Sequence, residues 1–356
     1  MALAAGSESA VTGRASFVST ASFPIALGLA GVGACLRLAA GVTHLSPLAL
    51  PGVALLVAAF VVLCASACFY LFKLLRELAQ ARSEFGDPTS ANLLAPAFMA
   101  AMVLGSQLAP MHAVGAWFWN LAAAGHLLLL LSFAGRWVTH GYDSQSLNPT
   151  WFLPAAGIMT ASMTAPAMGA EHFVLLLFGT GLTAWLILLP VVFRRVVFEP
   201  ALAPKLRPTL FILAAPFGLA ANSVLSLDAS GGLLIAKTLA FGGTFLLVAL
   251  LMRVGFFRRS GITLSWWATT FPIAALATAW LRCYGLDPAW ELLALGLVLL
   301  VLALGGTLVA MIATVRVAWS ARAGAVAAAA DEVAALHCDA PAAAAPEGRN
   351  REHLQG

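Results

Sequence analysis

The sequence predicts an all-α integral membrane protein with ten transmembrane helices. Of its 356 residues, 61% are hydrophobic and only 10% are charged. A chain of this composition has too few polar side chains to cover a water-soluble globule. Apolar segments long enough to cross a bilayer recur throughout, and the alternating pattern expected of a β-barrel strand does not appear.

Apolar runs between charged or Pro/Gly-rich breaks define the ten predicted spans. An isolated apolar segment in lipid has to be helical, because it must satisfy its own backbone hydrogen bonds. The predicted spans are residues 21–44, 51–73, 92–109, 113–134, 150–167, 172–194, 209–227, 232–253, 263–281 and 292–315. On this basis residues 1–20 form a cytoplasmic N-terminal segment, residues 21–316 form the transmembrane domain, and residues 317–356 form a cytoplasmic tail that begins as a helical extension and ends in disorder.

Five prolines occur early in alternate predicted spans, which indicates an internal repeat. Pro24, Pro96, Pro154, Pro216 and Pro272 lie roughly 60 residues apart, about the length of two membrane-spanning helices with their connections. A proline removes a backbone hydrogen bond and bends a helix, and in a membrane the freed group must meet protein or a water-filled cavity. The prediction is therefore five helical hairpins, with the five proline-bent helices forming an inner ring.

The odd and even spans also differ in composition. Odd spans are rich in Gly, Ala, Ser and Thr, whereas even spans are denser in Leu, Val and Phe. Bulky aliphatic side chains match lipid tails, and small residues let helices approach closely or leave room for a lumen. Apart from Arg37 near an outer end and Arg282 just past span 9, the interiors of the odd spans carry no Asp, Glu, Lys, Arg or His. A neutral pathway with basic cytoplasmic edges favours anions.

The distribution of basic residues predicts the orientation. All but three of the 19 Lys and Arg residues fall in the N-terminal segment, in the connections after even spans, or after the last span. The exceptions are Arg37, Lys237 and Arg282. By the positive-inside rule, both termini of this multi-pass protein are predicted to be cytoplasmic. The expected location is the plasma membrane, which in a bacterium is the inner membrane.

Three sequence strings resemble the tellurite-resistance/dicarboxylate transporter family, which includes TehA-like proteins and the slow-type anion channels of plants. They are Trp-Trp-Ala-Thr-Thr-Phe-Pro at 266–272, Leu-Arg-Pro-Thr-Leu-Phe-Ile-Leu-Ala-Ala-Pro at 206–216, and Phe-Gly-Thr-Gly-Leu-Thr-Ala-Trp at 178–185 followed by Pro190. The resemblance extends from about Ser22 to Arg316. It implies a quasi-five-fold arrangement of hairpins around a central pore, and often a homotrimer.

The resemblance also implies a gate. In the family a phenylalanine of the ninth helix occludes the pore, and this position falls on Phe271; the alternative is a packed core aromatic. The five prolines, with Phe23, Phe217 and Thr270, are predicted to line the pore or bend its helices. Lys237 either extends to the membrane surface or faces inward and attracts anions. His126 is either a proton-linked group or a neutral histidine hydrogen-bonded between helices.

The predicted function is an anion channel or uniporter that passes small inorganic or organic anions through a pore occluded by Phe271. The alternative is a secondary transporter or exporter of C4-dicarboxylates such as malate, of sulfite or of tellurite-related oxyanions, with proton coupling left open. A non-transporting scaffold or an enzyme would need a catalytic cluster or a soluble domain, and the sequence suggests neither. The cysteines lack metal-binding spacing. No metal, cofactor or nucleic-acid partner is therefore expected, and the expected partners are anions, the lipid bilayer and further copies of the chain.

Overall fold

The computed structural model describes residues 20–338, which form helices joined by short connections, with no β-strand in that range. The α-helices of this range are α1 (Phe23–Thr43), α2 (Ala49–Arg76), α3 (Leu78–Gly86), α4 (Pro88–Asn92), α5 (Ala95–Leu108), α6 (Ala113–Thr139), α7 (Phe152–Gly157), α8 (Met159–Thr164), α9 (Glu171–Phe198), α10 (Ala215–Leu227), α11 (Leu233–Leu251), α12 (Val254–Arg258), α13 (Thr270–Leu286) and α14 (Trp290–Cys338). Short 3-10 helices occupy Thr20–Ser22, Ser46–Leu48, Ser144–Ser146, Pro149–Trp151, Ala165–Met168, Pro204–Ala214 and Leu264–Thr269.

The chain divides into two compact units, residues 1–314 and residues 315–356. The first unit contains every helix from α1 to α13 and the beginning of α14. In the second unit, α14 continues as a helix to Cys338. The predicted N-terminal segment, apart from Thr20, and the end of the predicted tail lie outside the described residues. Their predicted character therefore stays a prediction.

Eight helical segments within residues 20–338 are long and apolar enough to cross a membrane. They are Thr20–Thr43, Ser46–Arg76, Pro88–Leu108, Ala113–Thr139, His172–Phe198, Pro204–Leu227, Leu233–Leu251 and Trp290–Ser320. These segments correspond to predicted spans 1–4, 6–8 and 10. The all-helical character of the described chain is thus as expected, while the count of ten membrane-spanning helices stays a prediction.

Predicted spans 5 and 9 are helical but interrupted. Span 5 consists of two six-residue helices, α7 and α8, between 3-10 turns. Span 9 begins as the 3-10 helix Leu264–Thr269 and continues as the 17-residue α13. Each of these α-helices is shorter than the roughly 20 residues that cross a bilayer. Hydropathy alone therefore predicts a continuous helix in each of these two segments, whereas the structure has interrupted ones.

The repeat prolines lie in the first turn of an α-helix, not in a helix interior. Each occupies one of the first three positions of α1, α5, α7, α10 or α13. For all but α5, a 3-10 helix directly precedes the α-helix. A first-turn N–H has no partner within its helix, so a proline there loses nothing. The prediction that each proline breaks an α-helical hydrogen bond is corrected: the prolines mark the junction from 3-10 to α-helix.

Odd and even spans differ in burial as their composition predicts. In the most apolar windows of the segments containing α1, α5 and α10, 67–78% of the residues are buried, against 22–33% in α2, α6, α9, α11 and α14. The exposed side chains of the second group include Phe60 and Val61 on α2 and Leu128 and Leu131 on α6. Large exposed apolar faces suit contact with lipid.

The proline-bearing segments contact one another in a closed cycle within the first unit. Helix α1 packs against α5, α5 against α8, α8 against α10, α10 against α13, and α13 back against α1. Four of these helices also pack against the long helix that follows them: α1 with α2, α5 with α6, α8 with α9, and α10 with α11. The interior of the first unit is therefore built from the odd spans.

Candidate functional site

A cavity of about 220 Å³ lies between α1, α5, α8, the 3-10 turn that follows α8, and α13. We call it the Phe271 cavity, because the ring of Phe271 forms part of its wall. Most of its lining is apolar or small. The polar lining side chains are Ser106, Gln107, Thr164, Thr278 and Arg282, and no carboxylate occurs among the described residues that line it.

One face of α13 runs along the whole cavity. Phe271, Ala275, Thr278 and Arg282 all line it and are spaced three or four residues apart, as expected for a single helical face. Three turns separate Phe271 from Arg282, which is about 16 Å along the helix axis. The cavity therefore extends from an aromatic ring near the start of α13 to a cation near its end.

Phe271 fits against α1 because residue 31 is a glycine. A Cβ atom on Gly31 would come within 2.7 Å of Phe271 Cδ2, closer than packed atoms approach. The ring is 5% exposed, so it is buried against α1 while it also borders the cavity. Its position satisfies both alternatives proposed from the sequence, a packed aromatic and a ring at the pathway.

Thr270, the residue before Phe271, meets α1 one turn earlier, at Gly28. A Cβ on Gly28 would come within 2.2 Å of Thr270 Oγ1 and 2.8 Å of Trp267 Cε3. Thr270 is fully buried, and its hydroxyl donates to the Trp267 carbonyl at 2.8 Å. Gly28 and Gly31 thus form a notch on α1 that receives the start of α13, and Thr270 stabilises this contact without lining the cavity.

Arg282 brings a positive charge to the cavity. The sequence placed this residue just past span 9, but α13 continues to Leu286, so Arg282 lies inside the helix. Its Nη1 donates to the Asn222 carbonyl at 2.8 Å, and its Nη2 donates to Ser226 Oγ at 3.2 Å. Both acceptors belong to α10 and both are uncharged.

Arg37 is connected to the same cavity through Gln107. Its Nη1 donates to Gln107 Oε1 at 2.8 Å, and Gln107 lines the cavity. The amide oxygen is therefore occupied, which leaves the amide N–H groups as the polar face that Gln107 can offer.

Four other cations of the described chain pair with carboxylates. Lys73 bonds Glu84, and Lys237 bonds Asp287 at 2.5 Å. Arg194 and Arg195 both lie near Glu199, at 4.0 and 3.3 Å. Lys237 does not line the Phe271 cavity. An anion-attracting role for Lys237 stays a prediction, and its ion pair already partly neutralises its charge.

Phe23 and Phe217, which the sequence placed on the pore, pack elsewhere. Phe23 contacts Tyr70 of α2 edge-on, with ring centroids 5.9 Å apart. Phe217 contacts Trp185 of α9 at 4.9 Å and borders an apolar groove next to α9 and α11. Neither ring lines the Phe271 cavity, and a pore-lining role for them stays a prediction. Phe217 follows its proline whereas Phe271 precedes its own, a two-residue offset that turns a helical side chain to about the opposite face.

His126 forms the interhelical hydrogen bond that one of the two alternatives predicted. It is fully buried on α6, and its Nε2 lies 3.1 Å from the carbonyl oxygen of Pro154 in α7. The Ile158 N–H, which a continuous helix would direct at Pro154, bonds Ala156 instead. His126 therefore satisfies a carbonyl at the break in span 5.

No metal-binding group of three or more His, Cys, Asp or Glu residues occurs in the part of the chain that the structure describes.

Sequence reasoning missed Arg282 and Gln107 as site residues. The signal for Arg282 was available, because Phe271, Ala275, Thr278 and Arg282 share a helical period. Span 9 was predicted to end at residue 281, five residues before the end of α13 at Leu286, and this excluded Arg282 from the helix. Gln107 carried a weaker signal, as a lone amide near the end of an apolar segment.

The first unit has apolar outer helices around small-residue inner segments, which is typical of a multi-pass membrane protein. Its interior cavity has a cation and no acid among the described residues that line it. Residues 18–315 match the SLAC1 family, described as voltage-dependent anion channel. The chain belongs to this family, and the resemblance inferred from its sequence strings is confirmed.

Individual relatives are distant. The S-type anion channel SLAH2 of Arabidopsis thaliana is 27% identical over 220 residues, which cover 60% of this chain and 42% of the plant protein. The guard cell S-type anion channel SLAC1 of the same plant is 23% identical over 248 residues, covering 67% of this chain and 44% of the plant protein. A tellurite resistance protein TehA homolog of Haemophilus influenzae is 26% identical over 221 residues, covering 59% of this chain and 65% of that protein. The matched region thus spans less than half the length of these plant relatives.

Proposed function

We propose that this protein is an anion channel or uniporter whose pathway runs through the Phe271 cavity and is closed by the Phe271 ring. The observation that carries the proposal is the cavity itself, which has an aromatic ring near one end of an α13 face and Arg282 near the other. A ring in a narrow apolar lumen blocks ions by its volume and by excluding water. A lining that holds a cation and no carboxylate disfavours cations electrostatically.

The proposed pore lies on the axis of a quasi-five-fold ring of hairpins. The closed cycle of contacts among α1, α5, α8, α10 and α13 supports this arrangement, as do the buried odd spans and exposed even spans. The ten-helix count, the homotrimer, the plasma-membrane location and the cytoplasmic termini belong to the same proposal. They rest on the charge distribution of the sequence and on family resemblance.

A coupled transporter of oxyanions is the second candidate function. The bacterial relative is named for tellurite resistance, and its match covers more of that protein than the plant matches cover of theirs. Tight proton coupling usually needs an ionisable group in the pathway. Because the described lining of the Phe271 cavity has no carboxylate or histidine, the uncoupled channel is the better supported function.

The test is the anion conductance of Phe271→Ala in planar bilayers, with chloride, nitrate and malate gradients imposed in turn. If the ring contributes about 1.4 kcal/mol to the barrier for permeation, its removal raises the basal current about tenfold. The reversal potential should follow the anion gradient. Phe217→Ala is the matched control, since Phe217 also adjoins a repeat proline but packs against Trp185.

Unchanged current in well-folded, correctly inserted Phe271→Ala protein would contradict the gate. Electroneutral exchange of labelled malate or sulfite, without current in either the wild type or the variant, would replace the channel with the coupled transporter.

A further inference from the structure

We infer that Arg282 and Gln107 form an anion-binding site in the Phe271 cavity, with a donor geometry that fits a small planar oxyanion such as nitrate or a carboxylate. This inference rests on the proposed function and names the residues that hold the anion. The site would take up the anion about three helical turns from the Phe271 ring, before the ring is reached.

Arg282 carries a positive charge that no carboxylate partner neutralises among the described residues. Arg282 is half-buried, its hydrogen-bond acceptors are neutral, and no carboxylate lies within ion-pair distance of it among the described residues. Lys73, Arg195 and Lys237, by contrast, all have a carboxylate partner. Removing a cation from water without a counter-charge is costly, so an unpaired half-buried cation beside a cavity attracts an anion from solution.

The N–H donors of the Arg282 guanidinium have a geometry that suits a planar anion. Three hydrogen bonds hold the Arg282 guanidinium to Asn222 and Ser226, so the group is fixed on α10 before any ligand arrives. A guanidinium has more N–H donors than these bonds use, and the remaining donors form a planar fork that matches the paired oxygens of nitrate or a carboxylate. A spherical halide would use this fork less well.

The hydroxyl groups that line the cavity already form hydrogen bonds within the protein. Ser106 donates to the Val103 carbonyl at 2.7 Å, and Thr164 donates to the Thr160 carbonyl at 2.7 Å. Their protons are therefore used within their own helices, and the Thr278 hydroxyl bonds Cys35 of α1. Gln107 differs, because Arg37 occupies its oxygen and leaves its N–H groups as donors. Arg282 and Gln107 are thus the lining groups suited to an anion.

The volume agrees with a small ligand. A cavity of about 220 Å³ holds nitrate or a short carboxylate together with water. Arg37 is a positioning residue in this scheme, since it acts on the anion through Gln107.

The experiment measures anion-dependent thermal stabilisation of the purified full chain, together with current in bilayers. The proteins are wild type, Arg282→Gln, Arg282→Lys and Gln107→Ala, with Arg253→Gln as control, because Arg253 is exposed at the end of α11 and does not line the cavity. Sodium nitrate, chloride and gluconate are compared at equal ionic strength. Because a ligand stabilises only the state that binds it, the rise in Tm reports binding without requiring conduction.

We expect nitrate to raise the Tm of wild type and Arg253→Gln above the value in gluconate, with a smaller rise in chloride. The nitrate rise should disappear in Arg282→Gln, weaken in Gln107→Ala and return in part in Arg282→Lys. In the Phe271→Ala background, Arg282→Gln should lower nitrate current about tenfold, as expected when a focusing charge is lost.

Equal nitrate stabilisation of wild type and Arg282→Gln, or none in either, would overturn the site, and equal stabilisation by chloride would overturn the oxyanion assignment. Comparing Arg282→Lys with Arg282→Gln separates loss of charge from loss of folding. Nitrate binding without current would contradict the proposed channel and leave the site standing, whereas anion current unaffected by Arg282→Gln would do the reverse.

Discussion

His126 illustrates how a single polar residue supports an interrupted segment. The Nε2 of its ring contacts the Pro154 carbonyl at the point where α7 and α8 are not continuous. The ring is closely surrounded: a Cβ on Gly157 would come within 2.7 Å of His126 Cε1. A buried carbonyl left without a partner is costly, so the histidine acts as a fixed hydrogen-bond donor in the interior.

Replacing His126 with Leu should therefore destabilise the protein by about 1–3 kcal/mol, because the Pro154 carbonyl loses its donor. His126→Gln keeps a donor and should lose less. Thermal unfolding in detergent measures both variants, and Ser132→Ala on the same helix, which loses only a hydrogen bond to Leu129 of its own helix, is the control. A proton-linked role would instead appear as an altered pH dependence of anion flux in His126→Gln.

Site residues could be predicted from sequence to the extent that a local string defined them. Phe271 could be selected as a candidate because a family motif contains it and a proline follows it. Arg282 was not, because hydropathy ends a span at the first charge, whereas the backbone continues in a helix whenever that charge has partners such as Asn222 and Ser226. The contacts of Phe23 and Phe217 depend on which helices become neighbours, and composition does not specify that.

At the level of elements, the contact between α1 and α13 depends on glycines that a hydropathy plot treats as ordinary small residues. Gly28 and Gly31 face Thr270 and Phe271, while Gly33 faces the Gly52 carbonyl of α2. Helix backbones that approach this closely gain dispersion and packing energy that a Cβ would prevent.

Gly28→Ala should cost about 1–3 kcal/mol by overpacking, since its Cβ would overlap Thr270 Oγ1 and approach the Trp267 ring. Gly41→Ala in the same helix is the matched control, because nothing lies within 4 Å of a Cβ there. The control should unfold at the same temperature as wild type or slightly higher, because alanine is the better helix former. A Tm loss of the same size in both variants would contradict the notch, because a Cβ at Gly41 meets nothing and helix propensity favours alanine.

Element boundaries were predictable where apolar runs were long, as for α2 and the start of α14. The breaks at spans 5 and 9 were not, because 3-10 turns and α-helices have the same apolar composition. The sequence did contain the prolines that mark most of these junctions. The sequence pattern alone does not show that these prolines lie in the first turn of an α-helix.

For the whole molecule, the alternation of basic connections predicts which turns share a side of the membrane. The connection containing Lys205 and Arg207 should be cytoplasmic, and the turn containing Ser230, which has no basic residue, should be on the opposite side. Both connections have exposed positions, at Ala201 and Ser230.

Single cysteines at these positions test the orientation, in a background in which the exposed Cys64 and Cys68 are replaced. A membrane-impermeant maleimide applied to intact cells should label Ser230→Cys and should label Ala201→Cys only after permeabilisation. Labelling of both from outside would contradict the alternation and, with it, the predicted number of spans between them.

The separation into buried odd and exposed even spans was predictable because composition differs between residues that meet helices and residues that meet lipid. The position of the cavity was not, since it depends on where α1, α5 and α13 leave a gap. That gap follows from side-chain volumes across three helices that are distant in sequence.

The break between α7 and α8 also has a consequence for biosynthesis. Two six-residue helices expose more unpaired backbone to lipid than one continuous helix, so this segment is a poor candidate for independent insertion. Two of its hydrogen-bond partners lie on α6: Trp119 donates to Thr164 at 2.7 Å, and His126 contacts Pro154. Since α6 precedes α7 in the chain, it leaves the ribosome first, and the interrupted segment enters the bilayer beside a helix that already carries these two groups.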